Sequence, residues 1–421
     1  MSERVPEGWK RIDLEEGVLL LISGQSPNRK ENSATGDSFG ILKTTAIDWG
    51  RFDEGQNQEV LDDYKPNKKH LVLENDILIT KAGPSHRVGV VAQARNLRSK
   101  VLLSGKMTAI RVNDKLISNF LTYALCREEA QKHLQINTTG MASSQTNFTH
   151  AALLKMPILS PPLLEQKKIA SILNSVDEVI ENTQKQIVKI QDLKKATMNE
   201  LLTKGVNHTE FKDSELGKIP QSWEVTCLGN IGDFAKGKGI LKEETTSHGM
   251  PCIRYAEIYT EYDYVVDVFK TFISLETINT TKKLKTNDII FAGSGETVED
   301  IGKSVAFVSN FDAYVGGDSI IFSPNIECNS VFLSYQLNDD LRRIQLRKMA
   351  QGGSVIHVYQ SGVEQLKIGL PPIMEQNKIV EYLLSYTKAI KAKKIKLSQT
   401  QSLKKSLMQD LLTGKVRVQV K

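Results

Sequence analysis

Residues 161–206 read PPLLEQKKIASILNSVDEVIENTQKQIVKIQDLKKATMNELLTKGV, and residues 371–416 read PPIMEQNKIVEYLLSYTKAIKAKKIKLSQTQSLKKSLMQDLLTGKV. The offset is 210 throughout, without a gap, and 18 of the 46 positions are identical. Two near-copies of one helical unit, each behind a much less similar block, predict a pseudo-two-fold molecule made from a single polypeptide. Paired protein surfaces of this kind match paired half-sites on a DNA duplex.

The repeat reads as a coiled coil. From Ile169 the stations run Leu173, Val176, Ile180, Thr183, Ile187 and Ile190, in alternating steps of four and three. Ile379, Leu383, Tyr386, Ile390, Lys393, Leu397 and Thr400 hold the same stations in the second copy. Both copies then step three to Leu193 or Leu403, four to Thr197 or Leu407, and four to Leu201 or Leu411. That three-four-four sequence predicts a hendecad-like slip that relaxes the left-handed supercoil. A shared slip predicts that the two helices pack on each other. Pro-Pro at 161–162 and 371–372 precedes each first turn, because proline is tolerated there and not in a helix interior. Each helix is then about 40 residues, or roughly 60 Å at 1.5 Å per residue. The other reading is two unrelated amphipathic helices in separate domains, and the matching length, slip and prolines argue against it.

At 421 residues the chain predicts two to four domains. Hydrophobic content of 40% with 25% charged residues is ordinary globular composition. The opening MSERVPEGWK lacks the apolar run of a signal peptide, and no stretch approaches a membrane span. Cys126, Cys227, Cys252 and Cys328 are scattered, which argues against a disulfide framework or zinc site and for a reducing, cytoplasmic setting.

The net charge of +6 is uneven. Residues 1–160 hold 21 Lys+Arg against 18 Asp+Glu, and residues 161–206 hold 7 against 6. Residues 207–370 hold 16 against 22, and residues 371–421 hold 11 against 3. A protein held on DNA by general positive potential alone would not carry an acidic third quarter, so that block needs local basic patches to bind DNA. The basic tail also reads as a solvated helix face.

The two blocks share landmarks. Each opens with Pro-x-x-Trp, at Pro6 to Trp9 and Pro220 to Trp223. Each has a strand led by Asn-Asp, at Asn75-Asp76-Ile77-Leu78-Ile79 and Asn287-Asp288-Ile289-Ile290-Phe291, followed by a Gly-containing loop. Further β-rich stretches are expected at 87–92 and 303–308, helices at 120–134 and 331–348, and polar closing loops at 143–147 and 352–357. Short strands punctuated by Gly and polar turns, with a late helix, predict an α/β (α+β) module.

A search for catalytic chemistry finds none. Gly302-Lys303-Ser304 ends like a phosphate loop, but Thr297 stands where its first Gly belongs. Gly293-Ser294-Gly295 lacks the third Gly of a dinucleotide fingerprint. There is no DPPY or NPPY run, HExxH or His-Cys cluster.

The loops do suit nucleic-acid readout. Gln and Asn match adenine, Arg and Lys match guanine, and Ser, Thr and backbone N–H groups serve phosphates. On that logic the first block offers Lys81, His86, Arg87, Ser144, Gln145 and Asn147. The second offers Ser294, Glu296, Thr297, Ser354, His357 and Tyr359. Aligning 42–47 with 253–258 places Lys43 and Arg254 at equivalent positions, each followed by a further candidate, Thr44 and Tyr255. An ordinary solvated loop side chain is the competing reading of each.

The order of these parts resembles the specificity subunit of type I restriction–modification enzymes. The resemblance covers essentially the whole chain. It rests most on P-P-x-x-E-Q-x-K-I and L-L-T-x(1–2)-V, each present twice, and on the Asn-Asp-Ile strand with its Gly loop. It implies two mixed α/β target recognition domains, each reading one half of a bipartite, asymmetric double-stranded DNA site. It implies two long antiparallel helices that form a coiled coil and act as a ruler for the spacer between the halves. These helices would dock two methyltransferase (M) subunits, and restriction (R) motor-nuclease subunits would join that core. The chain itself would be non-catalytic and cytoplasmic in a prokaryote, with no cofactor of its own. S-adenosylmethionine would belong to the partner methyltransferase, and ATP and Mg to the restriction subunit. The acidic second block departs from this picture and leaves its phosphate contacts open.

The expected architecture is therefore a first recognition domain over 1–160 and a first helix over 161–206. A second recognition domain follows over 207–370, then a second helix and tail over 371–421. The alternatives are a coiled-coil scaffold or adaptor that binds proteins only, and a nuclease or methyltransferase acting alone.

Overall fold

The computed structural model describes residues 5–142, 144–297, 299–352 and 356–420. The chain divides into two compact units, Met1–Gln184 with Ile395–Lys421, and Lys185–Lys394. Both long helices form: Leu163–Lys204 has 42 residues and Ile373–Leu412 has 40. Each unit thus takes one half of each helix. The prolines act as the sequence predicts, since Pro162 and Pro372 carbonyls accept from the Gln166 and Gln376 backbones at 3.0 and 3.1 Å. Gly205 and Gly414 end the helices at φ of +67° and +68°, a left-handed conformation that costs least without a Cβ. No described helix is long and apolar enough to cross a membrane.

Within each unit the helix halves run antiparallel. In the first unit Asp177 pairs with Lys404, and Glu165 with Arg417 just past the end of the second helix; in the second, Gln186 meets Lys393 and Thr197 meets Tyr386. In both, the numbers rise on one helix as they fall on the other. Ile169, Leu173, Leu411 and Leu412 are buried in the core of the first unit, and Leu202, Ile379 and Leu383 in that of the second.

The expected slip is absent. Leu193 and Leu403 are 50% and 53% exposed, and Lys194 and Lys404 turn inward instead. The inward stations run 190, 194, 197, 201 and 400, 404, 407, 411, so the four-three alternation continues unbroken. The lysines win because their ammonium groups find partners there. Lys194 Nζ lies 5.1 and 5.7 Å from the Tyr264 and Tyr335 ring centres. Lys404 Nζ lies 5.6 Å from the Tyr123 ring and 2.6 Å from Asp177. A desolvated cation over two aromatic faces is attracted by their quadrupoles, while its stem covers apolar surface. Burial lowers the Lys194 pKa, the expected response of an ammonium to partial desolvation.

The two units repeat one topology. A four-stranded antiparallel sheet runs in the order Val18–Ser23, Met107–Val112, Ile77–Thr80, Val91–Gln93 in the first unit. The second runs Gly232–Lys236, Ser319–Pro324, Ile289–Ala292, Ser304–Ala306. Asn75 and Asn287 both adopt φ of +72° before the third strand of each order, which Asn tolerates better than most residues. Asp76 and Asp288 follow, buried, and accept from the backbones of Leu73 and Lys285 at 2.9 and 2.7 Å. The Asn-Asp pair is thus a turn-forming device.

Two expected helices are broken, and one expected strand is shorter than its pattern. The helix over 120–134 is broken into Ser118–Leu125 and Glu128–Ile136, and its counterpart into Ser330–Leu337 and Asp340–Met349. In the second unit the break has a clear cause. Asn338 turns its amide onto Ser304 and Ser334, and Asp339 caps the next helix at the Arg342 N–H. The strand over 87–92 is limited to Val91–Gln93, because Arg87 and Val88 close a turn onto the Pro84 carbonyl.

The Glu-Gln of each P-P-x-x-E-Q run fastens helix to block. Gln166 accepts from the Ile117 backbone and donates to the Lys115 and Pro161 carbonyls; Gln376 accepts from Asn329 and donates to Pro371. Glu165 takes the Trp9 indole N–H at 3.2 Å and the Arg417 guanidinium. Glu375 takes the Trp223 indole at 3.2 Å, the Val206 backbone at 2.9 Å and His208 Nε2 at 2.8 Å. The Pro-x-x-Trp and Glu-Gln motifs are one buried joint, built twice.

Candidate nucleic-acid interface

Among the described residues, the closing polar segments contribute strands. Thr138–Ala142 and Gln145–Phe148 form a hairpin that adds to Ala82–Gly83 in the first unit. Gln351–Gly352, Ile356–His357 and Ser294–Gly295 do the same in the second. Alternating Gly, Ser, Thr and Asn hide the strand pattern in the sequence, and the paired Gly loop reveals it. Asn147 thereby faces Ala82, and His357 faces Ser294, with Ser294 Oγ 2.8 Å from His357 Nδ1.

In the first unit this brings together Lys81, Gln145 and Asn147, while His86 and Ser144 lie exposed on the adjoining turns. Lys81 N donates to the Lys106 carbonyl at 2.8 Å, which sets two lysines side by side at the end of the central sheet. Arg87 is engaged internally: its guanidinium donates to the Thr44 and Ile47 carbonyls at 2.7 and 2.6 Å and pairs with Asp48 at 3.3 Å. Lys43 and Thr44 are half-buried where the strand Phe39–Leu42 enters a short 3-10 turn.

In the second unit Ser294, His357 and Tyr359 come together, with the His357 and Tyr359 rings stacked at 6.4 Å. Glu296 and Thr297 are exposed beside them, and Thr297 bonds Asp300 at 2.7 Å. Ser354 lies outside the described residues. Arg254 and Tyr255 stand where Met250–Ile253 enters the helix Tyr255–Thr260, matching the placement of Lys43 and Thr44. Lys303, from the near-miss phosphate loop, is half-buried and bonded to the Tyr262 carbonyl, and desolvation lowers its pKa.

Matching hydrogen bonds align the two sites residue by residue. Gly24 N donates to Met107 O and Gly237 N to Ser319 O; Gly293 N donates to Asp318 O as Lys81 N does to Lys106 O; Phe148 N donates to Lys81 O and Val358 N to Gly293 O. Lys236, Asp318, Ser319 and Gln360 therefore occupy the places of Ser23, Lys106, Met107 and His150. Sequence reasoning missed all eight, because no shared motif marks positions whose side chains differ this completely. In the first unit His150 Nε2 lies 3.1 Å from Ser23 Oγ and 3.2 Å from Thr108 Oγ1. Burial, and then nearby Lys81, lower its pKa and favour the neutral ring. In the second unit the same place is an open cleft. These side chains offer hydrogen-bonding and charged groups, including two Ser–His pairs at 2.8 and 3.1 Å.

The sequence profile of the family described as "Type I restriction modification DNA specificity domain" matches residues 6–192 and 220–399. The chain is similar to the MjaVIII specificity subunit of Methanocaldococcus jannaschii, with 28% identity over 99% of this chain and 94% of that one. Its fold is similar to that of a type I restriction-modification S subunit from M. genitalium, with a TM-score of 0.58 and 16% identity, covering 98% and 97% of the two chains. A chain from a structure concerned with complex assembly and conformational transition of the type I R-M system matches with a TM-score of 0.59 and 16% identity over 98% and 100%.

Proposed function

Because the chain belongs to the type I restriction modification DNA specificity family, we propose that each of its two units reads one half of a bipartite, asymmetric DNA sequence. The observation that carries this reading is the repeated hairpin-plus-Gly-loop at the end of each central sheet, the same backbone bearing different side chains. Identical scaffolds with different hydrogen-bonding groups suit two half-sites of different sequence. Lys81, Lys106, Gln145 and Asn147 would serve the first half, and Lys236, Ser294, His357 and Tyr359 the second.

The chain acts here without catalysis and without a cofactor of its own. S-adenosylmethionine is assigned to methyltransferase subunits, and ATP and Mg to restriction subunits, that assemble with it. The long helices offer a docking surface for two like partners. Leu164 and Met374 are 62% and 78% exposed, Leu193 and Leu403 are half exposed, and each pair is related by the repeat offset. Apolar side chains held out at equivalent positions support two equivalent contacts.

The test is a block exchange. Replacing residues 1–160 with the corresponding block of another family member is expected to change one half of the recognised sequence and leave the other intact. A folded chimera that changes both halves, or selects no sequence, overturns the two-reader assignment.

A further inference from the structure

The second unit holds a cleft of about 300 Å³. Its lining includes Lys236, Ser294, Asp318, Ser319, His357 and Tyr359. Ser319 is fully buried, yet its Oγ has no hydrogen-bond partner among the described residues. An unsatisfied buried hydroxyl is costly, and this one borders the cleft wall, which points to a polar group that enters. In the first unit Met107 stands in its place, a side chain that leaves no polar atom unsatisfied.

The rim carries both signs of charge. Lys236 and Asp318 are exposed, and neither forms an ion pair with a described residue. Tyr359, 55% exposed, stacks on His357 beside them. A phosphate would be repelled by Asp318, and a cation by Lys236. The ligand that matches both is one presenting a donor next to acceptors. In the major groove a C·G pair does this: cytosine N4 donates to a carboxylate, and guanine O6 and N7 accept from a lysine.

We propose that Asp318 and Lys236 determine specificity in the second half-site by reading a C·G pair. Asp318 accepts from the cytosine amino group, Lys236 donates to the guanine, and Ser319 is satisfied by a polar base-edge atom reaching the cleft floor. The inference rests on the DNA-reading assignment above. It also accounts for the acidic character of this unit at its reading edge, where Lys81 and Lys106 of the first unit are replaced by Gly293 and Asp318.

The test uses the full chain, with its methyltransferase subunits, bound to a library of random duplexes whose bound fraction is sequenced. The wild-type chain is expected to return a two-part motif with a fixed C·G pair in the half that changes when residues 207–370 are exchanged. Asp318 has φ of +57°, which Asn adopts readily, so Asp318→Asn preserves the backbone. It removes the charge, adds an amide donor and is expected to shift that pair toward A·T by roughly 5- to 150-fold in relative preference. Lys236→Met keeps the apolar stem and is expected to relax the same pair, with the first half unchanged. A wild-type motif lacking that pair, an unchanged motif in either variant, or uniform weakening with a shallower salt dependence overturns the proposal while the two-reader assignment stands. A wild-type chain that returns no motif overturns both.

Discussion

Replacing Glu165 with Ala should loosen the first unit at a specific joint. The carboxylate is 7% exposed and accepts from the Trp9 indole at 3.2 Å and from Arg417 Nε at 3.0 Å, with Arg417 Nη2 on its other oxygen. Without it the indole N–H of Trp9, itself 6% exposed, is left buried without its acceptor, at a cost of about 1–3 kcal/mol. Arg417 is 41% exposed, so solvent screens its share and the indole carries most of the cost. The joint holds residues near both chain ends to the start of the first long helix, since Arg417 also donates to the Glu7 carbonyl at 2.8 Å. Hydrogen exchange read by mass spectrometry should therefore show faster exchange in 163–175 and 405–412, with 373–383 as the internal reference. Arg417→Ala should give a smaller effect, and Glu165→Ala with Arg417→Ala should be less than additive, because both act on one carboxylate. Unchanged exchange in Glu165→Ala, or strict additivity of the pair, refutes the joint.

Further outcomes follow from the same contacts. Lys194→Ala, which removes an ammonium lying over two packed tyrosine rings, should cost about 1–2 kcal/mol in denaturant unfolding, while Leu193→Gln on the exposed face should change stability by about 0.5 kcal/mol or less; the reverse order would restore the slipped register. Leu173→Ala, in a fully buried core position, should cost about 2–5 kcal/mol by the same measurement. If the paired helices set the spacer, inserting seven residues after Gln184 and seven after Lys394 keeps the heptad in phase. That adds about 10.5 Å, or roughly three base pairs at 3.4 Å. Selection from random duplexes should return both half-sites unchanged with a longer spacer, and an unchanged spacer in a folded variant would make the helices a scaffold only.

The sequence by itself determined the architecture, because the repeat, the prolines and the four-three apolar spacing are local and periodic. The helix limits at 163–204 and 373–412 and the doubled Asn-Asp strand were legible for that reason. Tertiary structure decided where local pattern and partner disagreed. Leu193 reads as a core station and Lys194 does not, yet aromatic rings from distant segments reverse their places. Arg87 reads as a loop cation, but the Thr44 and Ile47 carbonyls claim its guanidinium. Gln145 to Asn147 reads as part of a loop and becomes a strand once Ala82 and Gly83 offer an edge. The cleft at Ser319 was illegible for the same physical reason. Its walls come from segments near 236, 294, 318 and 358, joined by backbone hydrogen bonds that long-range folding forms and that leave no periodic trace in the sequence.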